Sequence, residues 1–515
     1  MITIGDLYRR NARHNPHGIA VIHGETRITH ADMLARVDAA SRRLAAMTLH
    51  HQDRFAILSK NSLEYLALYG AAESTGFVAV AINFRLAADE IAYIVNDSAP
   101  KVLFFEEEFA PVVDQFRAKI AADIRLVCIG KPPAWAVAYE SLQLASADAV
   151  PKPEITDLAY LIYTSGTSGR PKGAMLDQRG QLEFGRVVAE ELALTEADIS
   201  FIVMPLYHVG AKCNQLAALY RGCTLAMMRD YDARKVAETL ARDRATVAHL
   251  APLMVNDLIT LADEETFDHS RLRLVQYASG PMPVAQLRKA VALYGPIFMQ
   301  LYGMTEAGTI TCLYPHQHAL DGPEHVVRRL ASAGVPPPSA AIRIVNDEGH
   351  ECAAGVAGEV VAHTPSLLRG YWNNSVATAD ALDRGWLKTG DVGWRDEEGF
   401  LFIVDRKKDV IISGGENIYP REVEEALHFH PEVEDVAVIG VPDDTWGEAV
   451  KAFAVTVPNR TVSEDDLIAF CKTRIASYKK PKSIEFVERL PRLANHKIDK
   501  KTLREPYWRG RSRSV

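Results

Sequence analysis

The chain has 515 residues, 48% of them hydrophobic and 24% charged, a globular composition too long for one core, so at least two domains are expected. Its net charge of −8, from 58 Lys and Arg against 66 Asp and Glu, offers no basic surface for nucleic acid. The six cysteines, at 128, 213, 223, 312, 352 and 471, show neither a CxxC pair nor metal-ligand spacing and read as reduced thiols of a cytoplasmic protein.

Taken in chain order, residues 1–10 carry Arg9 and Arg10 and no apolar h-region, so no leader is expected. The run 54–58 predicts a strand, 62–75 a helix and 78–82 a second strand. Glu73, Ser74 and Thr75 interrupt the apolar stretch that contains that helix, which argues against a membrane span. The same alternation returns in a helix over 233–243, a strand at 245–248 and a break at Pro252. Alternating strands and amphipathic helices predict an α/β domain of βαβ units with mostly parallel sheets. From about residue 340 the pattern changes to strands broken by Gly and Asp, at 341–345 and 358–362, as in a small barrel closing the large domain. Beyond Asp405, a helix begun by Pro420, strands at 436–440 and 451–457, and a helix over 463–477 opened by Ser463 predict a small α+β domain. The C-terminal 508–513 is basic and reads as a solvated tail.

One segment stands apart. Residues 163–173, Tyr-Thr-Ser-Gly-Thr-Ser-Gly-Arg-Pro-Lys-Gly, put the hydroxyls of Thr164, Ser165, Thr167 and Ser168 together with Gly166, Gly169, Gly173 and Lys172, directly after the apolar run 158–162. Glycines bring backbone N–H groups up to phosphate oxygens, hydroxyls add donors, and a lysine adds a mobile charge. A solvated hairpin turn has the same composition, and the spacing fits neither the GxxxxGK[ST] nor the GxGxxG template, so the segment alone leaves both readings open.

Further motifs follow in order: Met204-Pro205-Leu206-Tyr207-His208, Ala278-Ser279-Gly280-Pro281, Gln300-Leu301-Tyr302-Gly303-Met304-Thr305-Glu306, Trp386-Leu387-Lys388-Thr389-Gly390-Asp391, Asp405-Arg406-Lys407-Lys408-Asp409, and Lys497. As an ordered set along nearly the whole chain they resemble the adenylate-forming superfamily of acyl- and aryl-CoA synthetases, luciferases and peptide-synthetase adenylation domains. The resemblance implies an N-terminal adenylate-forming domain, 1–405, and a mobile C-terminal lid, 406–515, with the hinge near Lys408. It implies an AMP-forming carboxylate–CoA ligase that uses ATP, Mg²⁺ and CoA, with a stand-alone enzyme loading an acyl carrier protein as the alternative. It also leaves room for a homodimer.

Carried over by position, Thr164, Ser165, Gly166, Thr167, Ser168, Gly169 and Lys172 would hold the phosphates; Ser279, Gly280, Pro281, Gln300, Leu301, Tyr302 and Gly303 the adenine. Thr305 would meet the α-phosphate, Asp391 and Arg406 the ribose, and Glu306 with Thr167 would ligate Mg²⁺. Lys497 would stabilise the charge that builds during adenylation. Its neighbour His496 departs from the glycine usual in the family. Gly414 and Gly415 would leave a channel for pantetheine, with Trp446 near the CoA nucleotide, against the commoner role of a half-buried core tryptophan. His208 would gate an acyl pocket drawn from Phe184, Val209, Gly210, Lys212, Cys213, Met254, Gly280 and Met304, whose mostly apolar character favours a medium-chain fatty or aryl-alkyl acid. Lys212 breaks that pattern: it would bind a polar or second carboxylate group of the substrate, pair with an internal carboxylate, or point to solvent, the last two together outweighing the first.

Overall fold

The computed structural model describes residues 2–164, 170–280, 282–414, 416–492 and 497–509. Two large sheets form the body of the molecule. The seven-stranded sheet runs in the order Val137–Ala138, Arg125–Ile129, Val102–Glu106, Arg54–Leu58, Val78–Ala81, Leu158–Thr164, Lys172–Asp177, parallel except for the last pair. Its central strands read as unbroken apolar runs because both faces are covered. Phe55, Ile57 and Phe104 go to the core shared with the second sheet, whereas Ala56, Leu58 and Phe105 go to a core under the helices Ala88–Ser98 and Ala110–Phe116.

The eight-stranded sheet has the order Gly308–Leu313, Phe298–Met304, Leu274–Tyr277, Val247–Leu250, Ile199–Ile202, Thr224–Met227, Ile19–His23, Thr26–Thr29. The helix Leu63–Ser74 is capped by Ser62, whose hydroxyl accepts from Tyr65 N, and Tyr65 to Glu73 along it are all buried. A helix apolar all round belongs inside a protein, and this one packs in the shared core. Here the expected elements agree with the observed ones to within a residue or two: Arg54–Leu58, Leu63–Ser74, Val78–Ala81 and Ala233–Arg242.

The unit expected as a small barrel is a five-stranded antiparallel sheet, with Ala341–Val345, Gly358–His363, Trp386–Arg395 and Leu401–Arg406 in succession and the short Leu382–Asp383 folded back on the long strand. Register shifts at Glu359/Val361 and Val392/Gly393 bend it. Its two outer strands, Ala341–Val345 and Leu401–Arg406, are not joined to each other by a ladder among the described residues.

Arg406 ends that sheet, and Ile411 opens another after the single turn Lys407–Asp409. This last sheet orders Glu416–Ile418, Ile411–Ser413, Gly447–Thr456 and Val433–Asp443, with Ser483–Phe486 beside Gly447–Thr456. Alternation along the central hairpin sends Val436, Val438, Val450 and Ala452 to one core and Ala437, Ile439 and Phe453 to another. The helix opened by Ser463 is Glu464–Lys472, shorter than expected, because Thr473 turns its hydroxyl back onto Phe470 O at 2.7 Å and the chain leaves the helical path. Arg421 ties this unit to the preceding sheet, donating from N to Asp405 Oδ2 (3.0 Å) and from Nη1 to Ile403 O (3.0 Å).

Candidate active site

The phosphate-loop candidate is the tip of a hairpin: Leu158–Thr164 and Lys172–Asp177 pair antiparallel, with Thr164 opposite Lys172 and Tyr163 opposite Gly173. Ser165, Gly166, Thr167, Ser168, Gly169, Pro281, Gly415 and the Lys408 side chain lie outside the described residues. At the hairpin's edge Tyr371 bridges to Ala174, and Trp372 N donates to Gly173 O (2.8 Å). That seats the Tyr371 ring 5.3 Å from Lys172 Nζ. The Thr164 hydroxyl (3.1 Å) and the Tyr371 hydroxyl (3.0 Å) both donate to Glu306 Oε1, drawing three segments of the chain onto one carboxylate. Burial, and then the Glu306 charge, raise the Tyr371 pKa, so its proton stays on the phenol.

A second carboxylate lies across the cleft. Asp391 and Arg406 are register partners on adjacent strands. Arg406 Nε meets Asp391 Oδ1 at 2.6 Å, and the Tyr302 hydroxyl donates to Oδ2 at 2.6 Å. Thr389 Oγ1 accepts from Asp391 N at 3.1 Å within the strand Trp386–Arg395. Ser279 adopts φ +72°, an unusual backbone for a residue with a side chain, in the turn that leaves the strand Leu274–Tyr277. Thr305 is half-buried just beyond the strand Phe298–Met304, and Gly303, on that strand, is exposed. Leu301 corrects one expectation: strand alternation sends its side chain into the core, 7% exposed, so only its backbone is available beside Gln300 and Tyr302.

The C-terminal unit supplies Lys497. Burial of its ammonium, then the Arg406 charge, pull its pKa below the ordinary lysine value, while Asp391 and Glu306 oppose them. The residue as a whole remains exposed, and the charges of Arg406, Asp391 and Glu306 all act on its ammonium.

On the acyl side, His208 is the half-buried N-cap residue of the helix Val209–Arg221, and its ring lies 5.5 Å from that of Tyr207. Cys213 (3% exposed) and Met254 (1%) are buried, and Val209 and Met304 half-buried. Phe184 is buried where its ring would meet a Cβ placed on Gly308 at 3.0 Å.

The N-terminal 8–372 match the model of the AMP-binding enzyme family, and 422–497 match that of the AMP-binding enzyme C-terminal domain. The chain belongs to this adenylate-forming family. It is 36% identical over 501 residues to indoleacetate–CoA ligase of Aromatoleum aromaticum, covering 96% of each chain. It is 34% identical over 512 residues to the fatty acid–[acyl-carrier-protein] ligase ScoC of Streptomyces coeruleorubidus, covering 98% of this chain and 96% of that one. Among solved structures, the o-succinylbenzoate CoA synthetase of Bacillus subtilis bound to its acyl-adenylate intermediate superposes with a TM-score of 0.85 at 30% identity, over 96% of this chain and 97% of that one. As an adenylate-forming enzyme of this group the protein is an AMP-forming acid–thiol ligase, with ATP as the nucleotide substrate.

Lys212 corrects a second expectation for this adenylate-forming enzyme. Its side chain is fully buried and ion-paired with Glu73, which is also 0% exposed. Gln215 Oε1 accepts from Nζ at 2.6 Å, and the rings of Tyr69 and Tyr160 lie 3.9 and 4.6 Å from the ammonium. Tyr8 (2.5 Å) and Tyr160 also donate to Glu73. Of the sequence alternatives, internal pairing is the observed one. The helical period explains it: Lys212 and Gln215, three residues apart, share the face that meets Glu73, while Gly210 and Cys213 fall on the next.

Gly414 takes φ +61°, and a Cβ there would meet the Trp446 ring at 2.6 Å, so the glycine is what lets the indole lie across the backbone. Trp446 is 48% exposed and carries Lys482 Nζ 5.2 Å from its ring. It is a surface platform and not a core residue. Sequence reading missed Tyr371, which no motif marks; its partner is set by a single bridge to Ala174, a contact almost two hundred residues away in sequence.

Proposed function

We propose that this ligase activates a hydrophobic carboxylic acid, medium-chain fatty or aryl-alkyl, to its acyl-AMP and then transfers the acyl group to CoA. The observation that carries the reading is Lys497, a residue of the C-terminal unit on whose ammonium the charges of Arg406, Asp391 and Glu306 act. In the first half-reaction the carboxylate oxygen attacks the α-phosphorus and the bond to pyrophosphate breaks; in the second the CoA sulfur attacks the acyl carbon, AMP leaves, and the thiol proton goes to solvent. Repulsion between carboxylate and triphosphate is the main barrier to the first step. Lys497 and Lys172 oppose it with fixed positive charge, and Thr305 orients the α-phosphate. Asp391, already accepting from Tyr302 and Arg406, has the acceptor capacity to hold ribose hydroxyls.

Glu306 fits a magnesium site. It is a buried carboxylate met by two neutral hydroxyls, and no group of three or more metal-binding side chains exists among the described residues. Mg²⁺ characteristically takes one or two carboxylates plus substrate phosphate and water. Glu306 would hold it, with Thr167 as a second oxygen, and the ion would neutralise the phosphate oxygens. CoA would approach past Gly414, Gly415 and Trp446.

Lys497 fills space that the incoming thiol needs, so the two steps require a rearrangement. The short joint between Arg406 and Ile411 supports a hinge near Lys408 that divides 1–405 from 406–515. Lys408→Pro is expected to slow thioester formation at least about tenfold more than adenylation by stiffening that joint; single-turnover assays of each half-reaction read this, and a larger loss in adenylation would remove the hinge assignment. Acid-dependent ATP–pyrophosphate exchange tests the adenylation reading itself. The alternative is transfer to a carrier protein, the activity ScoC's name gives for that relative, and it requires acyl-AMP without turnover of free CoA. No helix among the described residues is long and apolar enough to cross a membrane. We assign the enzyme to the cytoplasm on its unpaired cysteines.

A further inference from the structure

Beneath the helix that His208 opens lies a group of polar side chains that neither ATP nor CoA accounts for. His249 and Gln276 are register partners on adjacent parallel strands, so both rise from the same face of the eight-stranded sheet, flanked in register by Ile202 and Met299. Each is 1% exposed. The helix Val209–Arg221 lays Asn214, itself 0% exposed, over them: Asn214 Nδ2 donates to His249 Nδ1 at 3.0 Å, and Gln276 contacts Cys213.

Three buried polar atoms of this group, His249 Nε2, Asn214 Oδ1 and Gln276 Oε1, have no hydrogen-bond partner among the described residues. Buried polar atoms in native proteins are bonded with few exceptions, so three in one small region call for a ligand atom. Gly210 packs directly against them. A Cβ at Gly210 would stand 3.2 Å from His249 Cε1 and 3.5 Å from Ser279 Oγ, so the glycine lets the imidazole pack close to the turn that carries the adenine-binding candidates.

The donor and acceptor pattern restricts what fits. Because Asn214 Nδ2 donates to Nδ1, the imidazole carries its proton on Nε2. Burial drives the His249 pKa down to about 4, opposed by a hydrogen bond with the Gly210 backbone, so the ring is neutral near pH 7. The group therefore offers one N–H donor and two amide oxygens, and no charge. A second carboxylate on the substrate would face those oxygens unpaired, since Lys212 on the same helix is committed to Glu73. A methyl or methylene end would leave all three atoms unsatisfied. A hydroxyl both accepts and donates.

Resting on the ligase reading above, we infer that the acid substrate carries an uncharged hydroxyl group, phenolic or aliphatic, remote from its carboxylate, which accepts from His249 Nε2 and donates to the amide oxygen of Gln276. This narrows the hydrophobic acid expected from the apolar lining to a hydroxylated one.

The test compares matched acids on the wild-type enzyme by ATP–pyrophosphate exchange: 3-(4-hydroxyphenyl)propanoate against 3-phenylpropanoate, and 8-hydroxyoctanoate against octanoate and octanedioate. We expect kcat/KM to favour the hydroxy acid at least about tenfold in one series, because a site built around a hydroxyl discriminates strongly against the analogue that lacks it. Octanedioate should be the poorest of its series. In His249→Leu the hydroxy-to-deoxy ratio should fall to within about threefold of one, while His249→Gln, which keeps a donor, should retain part of the preference. Deoxy acids equal to or better than their hydroxy partners in both series would overturn the inference and assign the three atoms to buried water. A preference that persists in His249→Leu would overturn the role of His249. Should His249→Leu fail to fold, the wild-type ratios decide alone. Adenylate from no acid at all would instead overturn the ligase reading, and this inference with it.

Discussion

Lys497→Ala is expected to lose acyl-adenylate formation by roughly 10²-fold or more, while the same variant still converts supplied acyl-AMP and CoA to thioester at close to the wild-type rate. The asymmetry follows from where charge builds. On the proposed assignment a carboxylate approaches the α-phosphate in the first half-reaction, and Lys497, on whose ammonium the charges of Asp391 and Glu306 act, is the cation that stabilises the charge building there. Removing it leaves an anionic transition state facing anionic walls. In the second half-reaction the leaving group is AMP and the nucleophile a thiolate, and the ammonium contributes nothing that the rearranged site needs. Equal losses in both half-reactions would show that Lys497 supports the fold of the cleft and not the chemistry of its first step.

Lys212→Met is expected to destabilise the protein by about 3–5 kcal/mol, among the largest effects available to a single substitution here, because it strands a buried carboxylate. Glu73 would keep the hydroxyl donors of Tyr8 and Tyr160 but lose its only counter-charge among the described residues. The double variant Lys212→Met/Glu73→Gln should recover most of the loss, since the cost comes from the unpaired charge and not from the missing pair. Urea denaturation followed by circular dichroism checks both. If the single variant is as stable as the wild type, the two charges are not a paired unit. The network joins the helices Ile4–His14, Leu63–Ser74 and Val209–Arg221 to the strand Leu158–Thr164, so it braces the helix behind His208 and the strand that leads into the phosphate loop.

Much of this architecture was legible in the sequence where local physics and long-range packing agree. The strand Arg54–Leu58 and the helix Leu63–Ser74 have unambiguous periods and a capping serine, and both were read to within a residue. Of the motif residues, Thr164 meets Glu306, and Tyr302 and Arg406 meet Asp391, through pairings between strands that each motif's own segment supplies. What was not legible depends on which face a side chain takes. Lys212 sits four residues after His208 and looked like a pocket residue, yet its partner Glu73 lies 139 residues away, a distance no local pattern crosses. Leu301 shares a motif with Gln300 and Tyr302, but a strand sends neighbours to opposite faces. Tyr371 and His249 carry no motif at all; strand register alone puts them beside Glu306 and Gln276.

The most direct test of the whole account is mass spectrometry of the products formed by the purified protein from ATP, Mg²⁺, CoA and a pooled panel of fatty, hydroxy, dicarboxylic and aryl-alkyl acids. The account predicts an acyl-CoA and AMP in equal amounts, with acyl-AMP detectable when CoA is withheld. Formation of ADP in place of AMP, or acyl-AMP that never becomes a CoA thioester, would contradict it.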